Sequence, residues 1–143
     1  MLPELSQLLE YSNNQILNRY QNDYPNNSLA AEEALRELLK YFWLNQKYLM
    51  DYNNNPNVES IQFYLSIHEE MKEIDDMWHT FLLFTKEYAE FCHHYFGTFI
   101  HHHPTHDEEK LSEQEFEIDL TRYLSYIYDN LGEETVKKWF NEY

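Results

Sequence analysis

Glycine occurs only twice and proline four times in the 143 residues of this chain. Walker-type phosphate loops, dinucleotide glycine fingerprints and serine nucleophile elbows all need glycines in tight turns, so those enzyme classes drop out. Few helix breakers also means few turns, and hence long helices. Cysteine occurs once, at Cys92, so no internal disulfide can form, which fits a reducing compartment. Basic residues are scarce: 10 Lys and Arg face 26 Asp and Glu, for a formal charge of −16. No stretch offers the clustered cations that bind a phosphate backbone or an anionic lipid surface, so neither nucleic acid nor membrane is expected as a partner. No apolar run approaches the roughly 18 residues that span a bilayer. The start, Met1-Leu2-Pro3-Glu4, lacks the basic and apolar regions of a secretory signal. A cytoplasmic location is the expectation, with export by a route without a cleaved signal left open.

What the chain has in quantity is aromatic: 13 Tyr, 9 Phe and 3 Trp make up 17% of it. So many phenols imply a core whose edges carry hydroxyls that need hydrogen-bond partners. The length suits one domain spanning 1–143, with its own hydrophobic core and with loops near 22–28, 53–57 and 98–111. Leu5, Leu8, Leu9, Ile16 and Leu17 follow helical spacing and predict a first helix from Leu2 to about Tyr20, weakened at Asn13-Asn14. Ser28 is placed to cap a second helix, whose apolar stripe runs from Leu35 through Phe42 and Trp43 to Leu49 and Met50. The asparagine cluster around Pro56 is a loop. Residues 58–67 alternate in part and are compatible with a strand; without a partner strand elsewhere, a short helix is preferred. Helical pattern resumes from Glu69 to Phe96, with a division near Thr85 and a stop at Gly97. Ser112-Glu113-Gln114-Glu115 is a capping box opening a helix through Tyr128 to near Gly132, and a final helix runs from Glu133 to Tyr143 with Val136, Trp139 and Phe140 inward. The expected fold is all-α, a compact helical bundle of about five to six helices.

The chemistry is concentrated between Glu73 and His106. Asp75 and His79 are four residues apart, so on a helix they project from one face, where they can share a cation or hydrogen-bond each other. Trp78 and Leu82 lie near that face and are expected to half-bury the pair. Beyond Gly97 comes His101-His102-His103-Pro104-Thr105-His106, and neutral imidazoles are the commonest nitrogen ligands of zinc, copper, nickel and iron. If the chain folds back after Gly97, His101 or His102 meets the Asp75/His79 face; otherwise the run is a solvated loop. Cys92 falls on the apolar face of its helix with Tyr88, Phe91 and Tyr95, and reads as a buried small hydrophobe. His93 and His94 fall toward water. His68-Glu69 begins a zinc-protease motif whose second histidine is missing.

Read as a unit, Glu73-Ile74-Asp75-Asp76-Met77-Trp78-His79, then Thr85, Tyr88, Phe91-Cys92, Phe96-Gly97 and Ile100-His101-His102-His103-Pro104, resembles the glycine-rich-domain-containing-protein-like family. The resemblance is to the core of its short, stand-alone microbial members, covers roughly a third of the chain, and includes no glycine-rich region. It implies a grouping and no activity or cofactor. It marks Asp75, His79 and His101/His102 as one joint feature, with His103 at a permissive position.

Three readings follow. In the first, a divalent metal, zinc or iron, is held by Asp75, His79 and His102 with His101 as a fourth ligand. In the second, the Trp78-His79 segment is structural, and an acidic surface bearing exposed tyrosines recognises a basic protein partner. In the third, the same polar residues form a satisfied hydrogen-bond network that orders the core. Whether the protein is an enzyme, on what substrate, and in what oligomeric state are left open by the residues alone.

Overall fold

The computed structural model describes residues 1–103 and 110–140. Among them the chain is an all-α helical bundle of seven α-helices without a strand: α1 (Leu5–Leu8), α2 (Asn14–Asp23), α3 (Ala31–Asn54), α4 (Lys72–Leu83), α5 (Thr85–Phe96), α6 (Glu113–Leu131) and α7 (Glu133–Phe140). Short 3-10 turns lie at Glu59–Ile61 and Glu69–Met71. No helix of the described residues is long and apolar enough to cross a membrane.

Helix starts and stops follow local chemistry. Ser112 accepts from the Glu115 amide while the Glu115 carboxylate accepts from Ser112, the reciprocal box expected at the head of α6. Gly97 takes φ 69° at the end of α5, a left-handed conformation that glycine adopts without a Cβ penalty. Two expectations need correction. The first helix is not continuous from Leu2 to Tyr20: it is split into α1 and α2 because the Asn13 side chain accepts from the Gln15 and Ile16 amides and so starts a new helix. Residues 58–67 form no strand, and the short helix preferred there is confined to the 3-10 turn at Glu59–Ile61. After the 3-10 turn the backbone there is tied to side chains, with Tyr48 donating to the carbonyls of Ile61 and Phe63.

The chain divides into two units, residues 1–43 with 71–100, and residues 44–70 with 101–143. In the first, α2 packs on α4 and α4 on α5. Its centre is built from Leu8, Ile16, Leu38, Phe42, Met77 and Phe81, all fully buried. Trp78 sits edge-on to Phe42 at 5.1 Å between ring centres and tilted against Tyr41 at 5.7 Å. Polar side chains tie the loop before α3 to α4. Glu73 accepts from the amides of Ser28 and Leu29 at 3.0 and 2.7 Å, and Asn27 donates to Asp76 at 3.0 Å. Ser28 therefore does not play the part expected of it. It lies three residues ahead of the first residue of α3, and its hydroxyl is turned to Glu73.

In the second unit α6 packs on α7 and on the 3-10 turn at Glu59–Ile61. Phe63 stacks on Tyr123 with centres 5.5 Å apart, and the Tyr123 hydroxyl donates to the Ser66 carbonyl at 2.8 Å. Val136, Trp139 and Phe140 of α7 are buried, as their spacing predicts, while the expected extension of that helix to Tyr143 lies outside the described residues. Leu49 and Met50 depart from the predicted stripe of α3 and are 48% and 43% exposed.

Candidate metal centre

Helix α4 places Asp75 and His79 one turn apart. Its inner face is taken by Ile74, Met77, Trp78 and Phe81, with Asp76 and Thr80 also buried. Asp75 and His79 are left on the outer stripe, where their side chains are 27% and 51% exposed. The expectation that Trp78 and Leu82 half-bury both therefore holds only for Asp75. Trp78 turns fully into the aromatic core, and His79 stays open to solvent, which removes the reading of His79 as a core histidine.

Asp75 Oδ2 and His79 Nε2 are 3.5 Å apart. A charge-assisted hydrogen bond closes to about 2.7–2.9 Å. Donors each about 2.0–2.2 Å from a shared tetrahedral centre stand roughly 3.4 Å from each other. The observed spacing is that of an ion pair, and it is also compatible with two ligands of one cation. His102, half-buried, is a third group that could hold an ion with them: one ligand atom from each of Asp75, His79 and His102 lies within 4.8 Å of the other two.

The chain at Ile100, where the first unit ends, is anchored. The Tyr88 hydroxyl on α5 accepts from Trp78 Nε1 at 3.1 Å and donates to the carbonyl of Ile100, two residues before His102. Burial pushes the Tyr88 phenol well above its ordinary pKa, so it stays protonated and able to donate.

His101 and His103 are exposed, with ring centres 5.9 Å apart, and His101 is not one of the three clustered donors. His93 and His94 are exposed on α5, as their register predicts. His68 packs against the rings of Phe116, Tyr123 and Phe140. Pro104, Thr105 and His106 lie outside the described residues. Cys92 is completely buried, and burial raises its thiol pKa, which leaves it a core residue. Spacing gave no warning of Glu73 and Asp76 as tethers, because their partners lie more than 40 residues away. Nor did it single out the hydroxyl of Tyr88, a residue expected only to present an apolar ring.

Comparison with known proteins separates the grouping from the motif. No curated protein and no solved structure matches the chain. The model of the UCP032817-like family, whose description names no activity, matches residues 7–138. This overturns the resemblance to the glycine-rich-domain-containing-protein-like family, which rested on about a third of the residues, whereas this match runs nearly end to end. The chain belongs to the UCP032817-like family.

Proposed function

We propose that Asp75, His79 and His102 bind one divalent transition-metal ion, zinc or iron. The observation that carries the reading is the mutual approach of three ligand atoms within 4.8 Å, two of them on adjacent turns of one helix. Two imidazoles and one carboxylate form a borderline donor set, suited to zinc or ferrous iron and poor for magnesium or calcium, which take oxygen ligands. Three protein ligands leave coordination positions open, and a metal held this way supplies Lewis-acid chemistry at those positions. Exposure of His79 supports access from solvent. Tyr88, through Ile100, would hold the backbone ahead of His102 and limit the entropy lost on binding.

The test is metal analysis and zinc titration of protein carrying no affinity tag. One equivalent per chain is expected, with affinity reduced at least about tenfold in His79→Ala and in His102→Ala, and unchanged in His103→Ala. Substoichiometric metal together with no saturable zinc binding would sink the proposal. Equal losses in His102→Ala and His103→Ala would show loose binding by the histidine run.

A further inference from the structure

The second unit contains a cavity of about 690 Å³, in the range of about 300–1,000 Å³ typical of small-molecule sites. It involves none of Asp75, His79 or His102. The walls come from the C-terminal part of α3, residues 62–65, Leu111 and α6, and residues 62–65 are tied to both helices by hydrogen bonds. Asp119 accepts from the Tyr64 amide at 2.9 Å, Arg122 donates to the Gln62 carbonyl at 3.0 Å, and Tyr48 donates to the Phe63 carbonyl at 2.7 Å. Residues 62–65 are thus clamped from both α3 and α6, which fixes one wall of the space ahead of any ligand.

The lining has a definite chemical character. Four aromatic rings contribute, Tyr48, Tyr52, Phe63 and Tyr64, together with aliphatic side chains such as Leu49 and Ile118. Several of these are large apolar groups left open to solvent: Leu49 is 48% exposed, Tyr64 42% and Ile118 52%. Two carboxylates, Glu115 and Asp119, share the wall with one cation, Arg122. The Arg122 charge is already committed to Glu59 at 3.0 Å. An anionic guest would meet net negative charge on the wall and a chain of formal charge −16. A compact organic cation with an apolar body would instead meet the partly exposed rings of Tyr52 and Tyr64 with its charge and hydrocarbon with its body.

We infer that this cavity binds a small apolar organic cation of the quaternary or tertiary ammonium class. Benzyltrimethylammonium is a suitable probe, with phenylmethanesulfonate as the anion of similar shape and tetramethylammonium as the cation without an apolar body. Titrations followed by amide NMR shifts at about 150 mM salt should give one saturable site for benzyltrimethylammonium. Its affinity should exceed that of either control by at least about tenfold, corresponding to about 1.4 kcal/mol. Shifts should centre on residues 48–52, 62–65 and 115–122. Ile118→Lys and, independently, Leu49→Lys place a cation at exposed positions of the lining and should each weaken binding at least about fivefold. Leu83→Lys, at a position 57% exposed on α4, should leave binding unchanged. Equal binding of the sulfonate, a non-saturating response, or full affinity in both lining variants overturns the inference. So does sedimentation showing a dimer that Ile118→Lys dissociates, since the occupant would then be a second copy of the chain.

Discussion

The phenol of Tyr88 links two elements by two hydrogen bonds: it accepts from the indole of Trp78 on α4 and donates to the carbonyl of Ile100 beyond α5. Both Tyr88 and Trp78 are buried, so neither polar group has water as a substitute. Tyr88→Phe keeps the ring and removes the hydroxyl that bonds both the indole N–H and the Ile100 carbonyl. The expected cost is about 1–3 kcal/mol of unfolding free energy, read from urea denaturation. If His102 acts as a ligand, zinc affinity should also fall in Tyr88→Phe, although no ligand has been removed. Full stability in this variant would refute the structural role. Lower stability with unchanged zinc affinity would refute only the link to the metal site.

Asn13 separates two opposed accounts of the N-terminal region. In a continuous helix from Leu2 to Tyr20, Asn13→Ala would stabilise, because alanine is the stronger helix former. As the cap of α2, with its side chain accepting two amides, Asn13→Ala should instead destabilise by about 1 kcal/mol. The sign of the change in thermal midpoint decides the matter.

Asp51 supplies a pH dependence. Burial raises its pKa, but hydrogen bonds from Lys47 and Tyr126, at 2.7 and 2.6 Å, and the Lys47 charge outweigh that, so the net shift is below the ordinary value of 3.8. A carboxylate depressed on folding stabilises the native state above its unfolded pKa, and that contribution is lost as pH falls through the folded value. Asp51→Asn should therefore be less stable than the parent at pH 5–7, with a gap that narrows as pH drops below 3.8. A gap that stays constant into acid would argue against the shift.

Cys92 offers a chemical readout of the core. Its sulfur is fully buried and its thiol pKa is raised by burial, so the native protein should react with a disulfide reagent only as fast as it opens. Labelling at least about a hundredfold slower than in urea is expected, and rapid native labelling would contradict the placement of α5.

Much of the fold was legible from neighbours in the chain. The Ser112 box, the stop at Gly97, the inward face of α7 and the burial of Cys92 each follow from residues within a few positions of one another. The Asp75/His79 pair is legible in the same way, since an interval of four on a helix brings two side chains together whatever surrounds them. Which way that pair faced was misjudged for His79, because Trp78 was assumed to cover the stripe when packing against Tyr41 and Phe42 had drawn it inward.

By itself, then, the sequence determined the all-α class, the helix ends from the α4/α5 division to the start of α7 and one adjacent pair of donor groups, because helical periodicity and capping act over about four residues. Tertiary structure alone decided that Glu73 and Asp76 would hold the loop before α3, and that residues 62–65 would wall a cavity. Those outcomes depend on side chains distant along the chain competing for the same space and the same hydrogen bonds. No local spacing encodes that competition.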